Sequence, residues 1–331
     1  MRVVSTYLFL FLGLTLTMAP GEEFSWETVG GVEQLRIDTE LLSGVFVARD
    51  ERELGRGFAL HGFRGLVFKP TGKDLHASVG KVGAKRRHQG HLNVYRVYAG
   101  KETFGSLRDD LAEVERLDDG AQLTWPASEQ RPVEVSATWR ITGAAQIDLE
   151  IEAIPNRDLS NFEILPAVYC PVQMVKRVYL ERNGEAEPVV VKTPDDSEES
   201  LLYPFFPLTA EDREPQKASG RIQSEWTWPT SVEEEEAALP IVLADDGETE
   251  IILFGHPDST SAVCATPRPD SGEPENWNSV GQHSALYLSF FCRDIKAGEK
   301  QLARARLIYR TKTSDSAQEH RQLYQAFTEG R

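Results

Sequence analysis

The chain is poor in cysteine: Cys170, Cys264 and Cys292 are the only three in 331 residues. At most one disulfide can form, so this is not a disulfide scaffold. Two of the three lie in strand-like runs, which suits buried free thiols at least as well as a bridge. No CxxC or Cys/His spacing would hold a structural zinc. Also missing are a GxSxG elbow, a Walker loop, an HExxH pair and a strand-associated GxGxxG, since Gly55-Arg56-Gly57 is too short to count. On these grounds neither a metal nor a cofactor is expected. Positive charge is scarce as well, with 36 Lys/Arg against 52 Asp/Glu and a formal charge of −16. That balance argues against nonspecific binding to nucleic acid or to anionic membranes. No zinc-finger, helix-turn-helix or RNA-binding aromatic signature offsets it.

Long apolar runs are lacking except at the start. Arg2 is a minimal positive region, and Val3–Met18 is apolar apart from Ser5, Tyr7 and the threonines. Residues 1–19 read as a signal peptide, with Thr17-Met18-Ala19 placing the cut before Pro20. Proline just after a cut is unfavourable, which moves the expected position to somewhere between Ala19 and Phe24. The alternative is an uncleaved N-terminal anchor. A secreted or periplasmic protein is expected, with no stable membrane span after cleavage and no cysteine to start a lipoprotein.

What the chain does have is a succession of short β-type runs separated by turn residues. Val114–Leu117 and Gln122–Trp125 flank Asp118-Asp119-Gly120, a hairpin signal. In Gln146–Ile154, Ile147, Leu149, Ile151 and Ala153 alternate with polar residues, which predicts one buried and one wet face. Further runs include Gly62–Lys69, Leu92–Tyr98, Phe162–Cys170, Glu250–Gly255, Ala285–Cys292 and Ala303–Arg310. Between Lys192 and Pro240 the pattern gives way to Pro, Asp, Glu and Ser, with Glu233–Glu236 and two aromatic groups embedded. This reads as a long irregular excursion packed on the domain. Only the end looks helical, with Leu323, Tyr324 and Phe327 on one strip and Ser314 or Asp315 as the cap. The fold class is therefore all-β: a large antiparallel β-sandwich in a single meander over residues 24–331, with a short C-terminal helix.

Against the acidic background, Leu54–Lys101 carries ten Lys/Arg and a single acid, Asp74. If Leu92–Tyr98 is a strand, His91, Asn93, Tyr95 and Val97 point one way, and Leu92, Val94, Arg96 and Tyr98 the other. His91, Asn93 and Tyr95 would then share a face beside a loop bearing Arg86, Arg87 and His88. A titratable base, an amide, a phenol and nearby cations are the residue types that sugar-ring chemistry and uronate recognition use. The competing reading is a solvated basic loop and an edge strand on which Tyr95 packs. His88 and His91 can be read as a metal pair only if a turn at Gly90 brings them together, because a spacing of three on a strand sends them to opposite faces, and Arg86 and Arg87 would repel a cation. His61 and His283 read as hydrogen-bonded loop histidines. Trp226, Trp228 and Trp277 sit in polar surroundings. Asn276-Trp277-Asn278 has the composition of a sugar-stacking loop, although loop aromatics more often plug a core.

An exported chain of many antiparallel strands, with Arg, His, Asn and Tyr in its first third and Trp loops later, resembles the β-supersandwich class. That class includes the galactose mutarotase-like proteins and domains of several polysaccharide lyases, and the likeness runs over about Phe24–Arg310. In mutarotase-like enzymes a histidine is the general acid and a carboxylate the general base; the resemblance gives His91 or His88 the first role and matches no single Glu or Asp to the second. Lyases of related folds place His, Tyr, Asn and Arg around a uronate, which implies His91, Tyr95, Asn93 and Arg87. The expected catalytic residues are thus His91, Tyr95 and His88, and the expected substrate-binding residues Arg86, Arg87, Asn93, Arg96 and Trp277. The expected partner is a carbohydrate or acidic glycan. A noncatalytic cell-envelope module whose basic patch docks an acidic partner is the alternative.

Overall fold

Alternating residues become strands because each can bury one row of side chains while the backbone pairs with its neighbours. The computed structural model describes residues 23–50, 61–75, 91–171, 173–192, 203–223, 230–266 and 284–330. The first strands are β1 (Glu23–Val29), β2 (Val32–Asp38), β3 (Leu42–Asp50), β4 (Gly62–Phe68) and β5 (Lys73–Asp74). Then come β6 (Asn93–Ala99), β7 (Glu102–Thr103), β8 (Glu113–Arg116), β9 (Gly120–Trp125), β10 (Val133–Gly143), β11 (Gln146–Pro155) and β12 (Leu159–Tyr169). The second half adds β13 (Val175–Arg182), β14 (Glu185–Val190), β15 (Tyr203–Pro207), β16 (Thr230–Val232) and β17 (Ala237–Asp245). It ends with β18 (Thr249–Gly255), β19 (Thr260–Ala265), β20 (Ala285–Ile295) and β21 (Gln301–Thr311). Helices α1 (Ala210–Lys217) and α2 (Gly220–Gln223) precede β16, and α3 (Ser316–Glu329) closes the chain.

Three sheets result. β1 to β5 pair in sequence order; a nine-stranded sheet runs β14-β13-β17-β18-β21-β11-β10-β9-β8; a seven-stranded sheet runs β16-β15-β19-β20-β12-β6-β7. Hairpins alternate with crossovers, so the expected single meander is corrected. Short turns favour local pairing, but one face of every strand must also find the shared core. All three sheets contribute to that core, with Phe46 and Phe63 from the first, Trp125, Trp139 and Leu307 from the second, and Val94, Ile164 and Leu288 from the third. In the β10–β11 hairpin Trp139 faces Leu149 and Ala137 faces Ile151, as the alternation predicts. Trp139 Nε1 donates to the carbonyl of Leu92 at 2.7 Å and so ties the nine-stranded sheet to the start of β6. Gly120 is required here, because a Cβ would lie 1.8 Å from the Trp139 carbonyl oxygen.

Within the stretch read as an excursion, the described residues include β15, α1, α2 and β16. β15 pairs with β19 and extends the seven-stranded sheet. Thr209 caps α1 through a reciprocal capping box with Asp212. Aromatic residues at 203, 205 and 206 supply the burial that the surrounding acids obscure. The C-terminal helix falls where expected, with Asp315 at its N-cap. Its Tyr324 and Phe327 pack on Ile241, Ile252, Phe254 and Ile308 of the nine-stranded sheet. All three cysteines are buried free thiols. No helix among the described residues is long and apolar enough to cross a membrane.

Candidate functional site

The basic stretch enters the sheet through an irregular step. Leu92 is left-handed, with φ of 47°, and His91 bridges Phe63 of β4. The His91 Nδ1 lies 3.2 Å from the hydroxyl of Tyr309, a residue of the inter-sheet core. Beyond Leu92, Asn93 pairs with Ala167, Val94 with Pro166, Arg96 with Leu165 and Tyr98 with Glu163. The register shifts between Leu165 and Pro166, and Tyr95 is the extra residue.

These steps redistribute the expected face. His91 turns into the interior, away from Tyr95, which belongs to a separate cluster on the outer face of the seven-stranded sheet. The shared face expected of His91, Asn93 and Tyr95 is therefore corrected: Asn93 and Tyr95 share it, and His91 does not. Arg96, expected on the opposite face, joins Tyr95 because the bulge adds one residue. Asn93 is turned to its own sheet, its Nδ2 donating to the Ala167 carbonyl at 3.4 Å. His88, Arg86, Arg87 and Trp277 lie outside the described residues, as do His283, Trp226 and Trp228. His61 is a buried loop histidine whose Nε2 lies 2.7 Å from the Asp110 carbonyl.

Tyr95 is the centre of a larger group. Its ring meets Tyr169 edge-on at 6.3 Å and Tyr287 at 6.2 Å, and Tyr287 meets Tyr203 at 6.2 Å. Two guanidiniums approach the Tyr95 ring, Arg108 at 4.4 Å and Arg96 at 4.9 Å from its centroid. Arg108 sits on the 3-10 turn Leu107–Asp109 and donates through Nη1 to the Tyr169 hydroxyl at 2.9 Å. Both arginines are more than nine-tenths covered, Arg96 being 7% and Arg108 8% exposed. Burial pushes the Tyr95 phenol well above its ordinary value, Tyr169 adds to the rise, and Arg96 and Arg108 oppose it. Burial likewise raises Tyr203 and Tyr287. These phenols are hydrogen-bonding groups at neutral pH, and none is a base.

Further along the same face lies a buried ion pair. Arg221, at the start of the α2 segment, binds the Glu163 carboxylate, and Ser219 donates to the same group. Ser289 Oγ donates to Glu163 Oε1 at 2.5 Å. Gln216 of α1 accepts from Arg221 and donates to Ser261 at 2.9 Å and Ser289 at 2.7 Å. Arg221 also lies 3.9 Å from the Phe205 ring centroid. This network fastens the α1–α2 segment to the sheet. Its carboxylate is committed to three donors, so Glu163 is a structural acid.

A cleft of about 580 Å³ opens beside that segment, between Asp212, Pro215, Pro240, Ser259, Cys292 and Tyr324. It holds none of the residues expected from the sequence to be catalytic or substrate-binding. Asp212 there is raised by burial, against two hydrogen bonds from Thr209 that lower it. Cys292 is pushed well above the usual thiol value, first by burial and next by Glu163. Such a thiol is a poor nucleophile. Among the described residues no group of three or more His, Cys, Asp or Glu is placed to hold a metal.

Sequence reasoning missed Arg108, Tyr169, Tyr203 and Tyr287, which are scattered over 180 residues and carry no motif.

No protein-family model matches the chain, and no curated protein matches it in sequence. Among solved structures the chain is similar to galactose 1-epimerase from Lactobacillus acidophilus NCFM, at 9% identity and a TM-score of 0.47, over 88% of this chain and 99% of that one. It is similar to an aldose epimerase homologue from C. elegans at 10% identity and a TM-score of 0.43, over 88% and 100%. It is also similar to a mutant of a heparan sulfate lyase from Pedobacter heparinus at 8% identity and a TM-score of 0.41, over 88% of this chain and 37% of that one. Both groups of the sequence resemblance, mutarotase-like proteins and polysaccharide lyases, are represented among these neighbours.

Proposed function

We propose that the outer face of the seven-stranded sheet recognises an acidic sugar or glycan, in a protein exported by its apolar N-terminal segment. One observation carries the reading: the guanidiniums of Arg96 and Arg108 converge on the Tyr95 ring among Tyr169, Tyr203 and Tyr287. Arginine forks match carboxylate oxygens, and aromatic faces match the apolar face of a sugar ring. The low dielectric around covered arginines strengthens attraction for an anion. Recognition is the role proposed here. Proton transfer by His91 is not part of it, because its ring is engaged with Tyr309 on the other side of the sheet.

The test is calorimetric binding of uronate-containing oligosaccharides and of their neutral counterparts to the wild type and to Arg108→Ala. A lost charge-assisted hydrogen bond is worth about 1.5–3 kcal/mol, so affinity for the acidic ligand should fall roughly tenfold to a hundredfold. Affinity for the neutral ligand should change little. Equal affinity of the wild type for acidic and neutral ligands, or no binding of either, overturns the reading.

A further inference from the structure

Of the two guanidiniums at the Tyr95 ring, Arg96 belongs to β6, whereas Arg108 stands on the 3-10 turn Leu107–Asp109. A strand residue is fixed by ladder bonds to its neighbours, and a turn of three residues has few bonds of its own. In this turn Asp110 N donates to the Leu107 carbonyl at 3.1 Å, and Ser106 at the N-cap makes no side-chain capping bond. Two further bonds come from His61. Its backbone N–H donates to the Arg108 carbonyl at 3.0 Å, and its ring Nε2 lies 2.7 Å from the Asp110 carbonyl. A carbonyl can only accept, so Nε2 carries the proton and donates. His61 is only 2% exposed, and its ring stands edge-on to Trp125 of β9 at 5.6 Å.

We infer that His61 is a positioning residue, whose ring holds the Arg108 turn so that the guanidinium reaches Tyr95 and Tyr169. The long Arg108 side chain is fixed at both ends. Its Nη1 donates to the Tyr169 hydroxyl at 2.9 Å and its Cζ lies 4.4 Å from the Tyr95 centroid, while its backbone carbonyl is held by His61. Moving the backbone end moves the fork, and a binding group must be held within about 0.5 Å of its productive place. A histidine buried for packing alone needs some partner for its ring. It does not need one on the same turn that its own N–H already holds. The inference rests on the proposed recognition of acidic sugars for its ligand readout. The contact between Arg108 and Tyr95 reads it with no ligand present.

The experiment removes the ring donor and then restores it. His61→Leu keeps bulk without the N–H, and His61→Gln returns an amide N–H near the place of Nε2. His61→Asn, whose amide is too short to reach the Asp110 carbonyl, repeats the loss with a polar side chain and replaces the leucine variant if that one does not fold. Nuclear Overhauser contacts between the Arg108 side chain and the Tyr95 ring should weaken in His61→Leu and persist in His61→Gln. Preference for the uronate oligosaccharide over its neutral counterpart should fall about threefold to tenfold in His61→Leu, the range for one lost neutral hydrogen bond. It should return in His61→Gln, whereas a merely structural lesion would weaken both ligands alike. Arg108→Ala/His61→Leu should lose no more preference than Arg108→Ala, because His61 acts only through Arg108. Unchanged contacts and preference in His61→Leu overturn the inference, and so do equal losses in His61→Leu and His61→Gln or additive losses in the double variant. If the wild type shows no acid preference, the recognition reading fails, and the contacts between Arg108 and Tyr95 still decide whether His61 holds the turn.

Discussion

The two large sheets turn very different outer faces away from their common core. The nine-stranded sheet presents Ile241, Leu243, Ile252 and Phe254, and α3 seals it with Tyr324 and Phe327. It also carries buried polar groups: Tyr179 Oη lies 2.8 Å from His320 Nδ1, His320 Nε2 lies 3.0 Å from Glu250, and Glu250 also pairs with Arg310. The seven-stranded sheet presents tyrosines, two arginines and an ion pair instead. A face meant only to be covered is cheapest to build from apolar side chains, because each buried polar group needs partners. The proposed recognition uses the face on which two covered arginines meet a cluster of phenols.

The largest expected effect breaks the polar face at its ion pair. Arg221→Ala leaves Glu163 buried without its cation, which should cost about 3–5 kcal/mol. Urea denaturation measures it, and the double variant Arg221→Met/Glu163→Gln should recover much of the loss. If Arg221→Ala costs less than about 1 kcal/mol, the network does not fasten the α1–α2 segment. Next comes the apolar face, where Phe327→Ala removes a buried ring and should cost about 3 kcal/mol. Affinity for acidic glycans at a temperature where the variant is folded should be unchanged. A parallel loss of affinity would mean that the two faces are not independent.

The smallest effect uses the alkaline limb. Burial pushes the Tyr98 phenol up from 10.0 to about 12, with Arg96 acting in the opposite direction. Between those values the unfolded chain gives up a proton that the folded protein keeps. Its contribution is complete below pH 10, falls as pH rises to about 12, and is then level, a loss of about 2–3 kcal/mol. Tyr98→Phe should therefore flatten the pH dependence of stability by close to one proton between pH 10 and 12. An unchanged slope in the variant would show that Tyr98 titrates normally.

Alternation made much of the fold legible. The β10–β11 hairpin keeps the register that its hydrophobic pattern demands, and α3 begins at its expected cap. The same rule misplaced the site residues, because β6 departs from alternation twice, at left-handed Leu92 and at bulged Tyr95. Neither departure is written in β6 itself. Arg108 was hidden for a different reason: it reaches Tyr95 from a turn between strands, and only the packed structure brings it there. The aromatics that argued for packing after Lys192 include Tyr203 and Phe205, which join the cluster on the seven-stranded sheet.

The position of β21 has a consequence for how the chain is made. It is the last strand in sequence, yet it lies inside the nine-stranded sheet between β18 and β11. Until residues 301–311 have left the ribosome, β11 and β18 each expose an unpaired edge, and the two halves of the sheet have no hydrogen-bonded link. Bare edges of this kind recruit other chains, and distant pairings form slowly. A nascent chain halted before Gln301 is therefore a substrate for chaperones or for aggregation, however complete its first hairpins are.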